Sequence, residues 1–161
     1  MYEFLTWLEG SALGEAMRGM GVWSYGVFNL AHILGISTLF GSVLLIDLRL
    51  LGLWPGVAIR VLAGPAVLLA AIGFSLAALS GICMISTNAT EYDGNPFILI
   101  KFPAIALGLL NVAVLNVLPA WKAAKTREPS QRQRRQLAIG GGTSLACWLT
   151  AVGAGRMIGY W

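Results

Sequence analysis

The sequence "NLAHILGISTLFG" contains the chain's single histidine, His32, in a run that is otherwise almost wholly apolar. An ionisable side chain in hydrocarbon is costly, and its presence there points to a site. Two cations share the condition. Lys101 follows "NPFILI", and Arg156 follows "AVGAG". Counted at 1.5 Å per residue, His32 lies roughly 15 Å in from the outer end of its apolar run, and Lys101 roughly 7 Å in from its own. Arg156 stands near the outer end of the last run. Asn29 and Tyr25 are one and two turns above His32 on the same helical face.

Three chemistries are open to these residues. A neutral imidazole can be an axial ligand of haem iron, while lysine and arginine nearer the surface pair with the propionates. The depths of His32, Lys101 and Arg156 suit a b-type haem or a related tetrapyrrole. One histidine supplies one ligand, so the sixth position is open or filled by Met84, Met157, neutral Lys101 or a group from another subunit. The second chemistry is copper. His32, Cys83, Met84 and Met157 are soft or borderline ligands, although no MxxM or CxxC pair brings two of them together. The third is purely structural. His32 would bond a neighbouring helix for about 1 kcal/mol or less, while Lys101 and Arg156 extend to the interface.

The elements that must carry these residues are set by composition. Of 161 residues, 57% are hydrophobic and 11% are charged, where a soluble domain is closer to a quarter charged. This is the make-up of a multi-pass membrane protein in a lipid bilayer. Four runs, about 22–46, 65–86, 97–118 and 137–158, are long enough to cross. Trp23, Tyr25, Trp121, Tyr160 and Trp161 read as interfacial belt residues at their ends. Before the first run, Phe4, Leu5, Leu8, Ala12 and Ala16 recur at helical spacing, as in an amphipathic helix lying in the interface. Glu3, Glu9 and Glu15 stand where a signal peptide would be basic, so the first run is expected to be retained. The fold expected is all-α: a single-domain four-helix transmembrane bundle over 1–161 with an N-terminal interfacial helix.

Small residues mark expected helix contacts: Gly73, Ala77 and Gly81 in the second span, and Ala151, Gly155 and Gly159 in the fourth. Pro103 should kink or loosen the third. Asn111 and Asn116 should bond across helices, and Asp47 and Arg49 should form an ion pair at the inner end of the first. Cys83 and Cys147 read as small core residues. The net charge of +4 is not a nucleic-acid signal. It comes mainly from one loop, "WKAAKTREPSQRQRRQ", and the lysine and arginine asymmetry places that loop in the cytoplasm and both termini in the periplasm of a bacterial inner membrane. Contact with anionic lipid heads is the lesser reading of the same loop.

The first helix, "AHILGISTLFGSVLLIDLRLLG", resembles the signature helix of an uncharacterised bacterial family of small four-helix membrane proteins. A His, a Gly and a D-L-R-L-L-G ending recur there in that order. "WLEGSALGEAMR" and "NPFILIKFPAIALGLLN" extend the likeness over most of the chain. More distantly, a His in helix one and a Lys opening helix three are similar to the copper-resistance D-type membrane domain and to the HemJ-type protoporphyrinogen oxidase. These resemblances imply copper passage in one case and haem-linked redox chemistry in the other, with His32 and Lys101 carried over. The expected function is a haem-binding electron-transfer subunit without independent catalysis. The alternatives are an accessory subunit of a larger membrane complex, binding lipid or pigment, and a copper transporter. A homo-oligomer is also compatible.

Overall fold

The computed structural model describes the backbone of residues 1–161 and every side chain except those of Val22 and Ser24. Seven α-helices follow in order: α1 (Tyr2–Glu9), α2 (Ala12–Gly19), α3 (Gly21–Leu50), α4 (Ile59–Thr87), α5 (Pro96–Val117), α6 (Pro119–Ala124) and α7 (Gln131–Met157). Short 3-10 turns cover Ala89–Tyr92 and Ile158–Tyr160. The protein is an all-α, four-helix membrane bundle with short N-terminal helices. Four stretches, Tyr25–Leu50, Ile59–Thr87, Pro96–Val117 and Gln131–Tyr160, are long and apolar enough to cross a bilayer. Even the shortest, 22 residues, spans about 33 Å as a helix.

The helices outrun the apolar segments. α4 begins at Ile59, so Pro65 falls inside it instead of opening it. α7 begins at Gln131, because a capping box starts it there: Ser130 Oγ accepts from Gln133 N while the Gln133 side chain accepts from Ser130 N. That pairing satisfies two amides that the helix itself cannot. Pro103 lies inside α5 without ending it.

Two compact units make up the chain: Met1–Leu39 with Ala71–Pro96, and Phe40–Ala70 with Phe97–Trp161. In the first, the N-terminal segment is two helices where one was expected. Gly10 ends α1, and Ser11 caps α2 by accepting from Gly14 N at 3.2 Å. The break turns part of the apolar face onto protein. Leu5 and Met17 are buried, whereas Phe4 and Trp7 stay exposed. Gly14 sits directly against the Ser86 carbonyl, where a methyl group would lie 2.7 Å from the oxygen. Ser86, Ala89 and Asn95 are almost fully enclosed.

In the same unit α3 and α4 meet backbone to backbone. A Cβ on Gly35 would lie 2.6 Å from Ala77 N and 3.0 Å from Gly73 O, and one on Gly73 would strike the Leu39 backbone. The Gly73–Ala77–Gly81 stripe is therefore a packing surface, and Gly35 is its counterpart on α3.

The second unit is built around Ile46, Leu50, Ile59, Ala63, Trp121 and Leu137. Trp121 is 5% exposed and is not a belt residue. α5 stops at Val117, Leu118 adopts an extended conformation, and α6 folds Trp121 inward. Gly140 packs on Leu115, and Gly141 on Asp47 and Leu50. Asn111 Nδ2 donates across to Gly140 O at 3.0 Å, but Asn116 bonds Val112 O within its own helix. Gly159 faces open space, so the α7 stripe is used only in part.

The close approach gives the first test. Gly35→Ala should destabilise the protein by about 1–3 kcal/mol, because the atoms it meets are backbone and cannot give way. Gly41→Ala, with nothing within 4 Å of its Cβ position, should be neutral or stabilising by up to about 1 kcal/mol. Thermal unfolding in detergent separates them, and equal midpoints would remove the packing argument.

Candidate functional site

Of the residues singled out in the sequence, His32, Asn29, Tyr25 and Met84 belong to the first unit. Lys101, Arg156 and Met157 belong to the second. His32 is half-buried, whereas Asn29 and Tyr25 are exposed. The His32 Nδ1 lies 2.8 Å from Ala77 O and 3.2 Å from Ser80 Oγ. A carbonyl oxygen only accepts, so Nδ1 carries the proton and donates. Ser80 agrees with that assignment. Its own proton is directed at Leu76 O, 2.6 Å away, and its oxygen is left to accept. In the neutral ring Nε2 then bears the lone pair.

The ring packs so closely on α4 that a side chain at Gly81 would displace it. A Cβ on Gly81 would be 2.9 Å from His32 Cε1 and 3.3 Å from Nδ1. The small-residue stripe thus does two things at once: it admits the α3 backbone at Gly73 and the imidazole at Gly81. Ser80 was not evident from sequence. Its signal was its place beside that stripe, where carbonyl groups are approachable.

In the second unit Lys101 is half-buried. Its Cε and Nζ lie 3.5 Å from the position a Cβ would take on Gly155, an ordinary contact. The neighbouring Arg156 is exposed and turns to Tyr160. It donates to the phenol oxygen and stacks over the ring at 4.6 Å. Met157 is exposed and Met84 half-buried. Cys83 and Cys147 are free and half-buried. Among the described residues, no three of His, Cys, Asp or Glu come together as a metal-binding group.

The expected Asp47–Arg49 ion pair is not formed. Asp47, 2% exposed, is hydrogen-bonded by the Ser144 side chain, and its Oδ2 is enclosed without a partner. Arg49 turns the other way. Its Nε donates to Val57 O at 2.5 Å, and its Nη2 reaches Pro55 O at 3.4 Å. The reason is helical geometry: residues two apart project from different faces, so each finds its partner elsewhere.

Outside the spans, Glu9 fastens the N-terminal helices to the α4–α5 connection. It accepts from Thr90 N and Thr90 Oγ1, each at 2.7 Å. Arg18 adds bonds to Glu9 O and Thr87 O. The backbone bond from Thr90, then the hydroxyl bond, hold the Glu9 carboxyl below its ordinary value of 4.5. Partial desolvation opposes them, and Arg18 adds to them. In the same connection, burial raises the Tyr92 phenol, with Tyr25 and Glu91 adding to the effect.

The chain matches no family model, and no curated protein or solved structure matches it.

A carboxyl whose folded value is depressed contributes stability above its unfolded value and loses it as pH falls through the folded one. Hydrogen-exchange protection of residues 1–20, corrected for intrinsic exchange, should therefore hold from neutral pH to the ordinary carboxylate range and drop below it. Glu9→Gln should lower the plateau and remove the step. A variant with an unchanged profile would exclude Glu9 as the fastening.

Proposed function

We propose that the protein is a small inner-membrane redox subunit that binds a b-type haem, or a related tetrapyrrole, through His32. The observation that carries this reading is the Nδ1 bond to Ala77 O and Ser80. Ligating histidines are typically held in this way, with one ring nitrogen donating to a carbonyl so that the other is oriented and more basic. The donor chemistry fits iron: an imidazole nitrogen with its lone pair, carried on a membrane helix near mid-depth. When bound, the haem would supply a one-electron couple. Ala77 and Ser80 hold the tautomer and ring plane, and Gly81 leaves room for the ring. The protein would transfer electrons within a larger membrane complex or homo-oligomer and would have no catalysis of its own.

A second reading rests on the same bond. An imidazole seated on Gly81 and bonded to α4 is also a complete interhelical lock, worth about 1 kcal/mol. The protein would then be an accessory subunit without a cofactor. His32→Asn distinguishes the two, because the asparagine amide can replace the Nδ1 donor but supplies no second nitrogen. With haem available during expression, the wild type should show a Soret band, and His32→Asn should lose it while inserting and unfolding like the wild type. A wild type without tetrapyrrole absorbance leaves the lock as the better reading.

The orientation proposed has both termini in the periplasm, with Lys122, Lys125, Arg127, Arg132, Arg134 and Arg135 on the cytoplasmic side. In a Cys83→Ala, Cys147→Ala background, an impermeant thiol reagent applied to intact cells should label Asn88→Cys and spare Gln133→Cys. The reverse pattern would invert the topology.

A further inference from the structure

Arg49 poses a problem of charge. It is 4% exposed, and its bonds go to two neutral carbonyls, Val57 O and Pro55 O. Among the described residues the one salt bridge is Arg134–Glu128; Asp47 is bonded by Ser144 and forms no ion pair with Arg49. A buried guanidinium without a counter-charge is unfavourable. It also has donors to spare, since the guanidinium offers five.

Beside it lies a cavity of about 50 Å³, lined by Arg49 and Arg134, by Gly52 and Pro129, and by the apolar Ile59 and Leu137. A metabolite pocket is several times larger. A buried water needs about 10–15 Å³, so the space suits a compact polyatomic group. Arg134 donates to Pro129 O at 3.1 Å and to Glu128 at 3.0 Å. The Arg134–Glu128 pair is more than half exposed and so is screened by solvent. Glu128 thus offsets Arg134 only weakly and forms no ion pair with Arg49. Pro129 and Ser130 open α7, which turns the positive end of a 27-residue helix towards the same place.

We propose that this cavity binds a phosphate group, with Arg49 as the buried charge and Arg134 as the outer one. Two sources offer that chemistry: the headgroup of an anionic phospholipid, and free inorganic phosphate. Arg49 stands one residue from the end of a membrane helix, and the adjoining loop exposes Leu51, Leu53 and Trp54. Both facts favour a lipid, whose acyl chains would remain outside the small cavity.

The test uses the whole protein in neutral detergent, with phosphatidylglycerol, phosphatidylcholine or inorganic phosphate added. Thermal midpoint and native mass spectrometry are the readouts. Phosphatidylglycerol should raise the midpoint and remain bound, and phosphatidylcholine should do neither. If inorganic phosphate alone reproduces the shift and competes with the lipid, the site is a free-phosphate site. Arg134→Gln should weaken the effect about tenfold, the loss of one charge-assisted bond. Arg132→Gln removes the same charge from an exposed neighbour outside the cavity and should leave the effect unchanged. Arg49→Lys should weaken binding too; if that variant fails to fold, the comparison of Arg134 with Arg132 still decides. No response to either anion, or equal losses in the two glutamine variants, would overturn the proposal.

Discussion

Hydrocarbon neither donates nor accepts hydrogen bonds, so a polar group within these helices depends on the protein for its partner. Much of the structure follows from the ways that demand is met. The cheapest is for a side chain to bond its own helix. Ser80 takes Leu76 O, Ser86 and Thr87 take Cys83 O, and Asn116 takes Val112 O. Such bonds say nothing about neighbours. The informative ones leave the helix: His32 to Ala77, Asn111 to Gly140, and Ser144 to Asp47. The first two end on the carbonyl of a small residue, where a foreign side chain can reach a backbone already bonded within its helix.

Glycine and alanine therefore serve as points of access as well as contacts. Gly35 and Gly73 bring two backbones together. That approach sets the distance at which the imidazole, one turn from Gly35, meets the Ala77 carbonyl. In the second unit Gly140 and Gly141 play the same part for Leu115, Leu50 and Asp47.

The four long helices were legible in the sequence because apolar run length needs no knowledge of tertiary contacts. The Gly73–Ala77–Gly81 stripe was legible for a similar reason, since small residues every fourth position leave few other roles. Helix ends were less so. Hydropathy falls away before the helix does in α7, where the polar residues 131–136 are held by a capping box. Trp121 was misplaced because an aromatic after an apolar run suits a belt, and nothing local announces that α6 folds it inward. Asp47 and Arg49 misled in the other direction. Opposite charges close in sequence suggest a pair, but on a helix two positions separate faces. For the candidate site, His32 itself stood out by type and setting. Its partner Ser80 did not, because a serine that bonds its own helix looks the same in sequence as one that also receives a histidine.

Chain order adds a meaning to the first unit. Its pieces, Met1–Leu39 and Ala71–Pro96, are all translated by the first residue of α5. The partners of His32 lie 45 and 48 residues downstream, and the partner of Glu9 lies 81 downstream. Shorter loops close at lower entropic cost. During synthesis, then, the α3–α4 hairpin can close as soon as α4 is complete. The N-terminal helices can be fastened only once residues 86–90 have followed. The order of the residues thus makes the histidine bond one of the earliest long-range contacts between membrane helices available to the nascent chain.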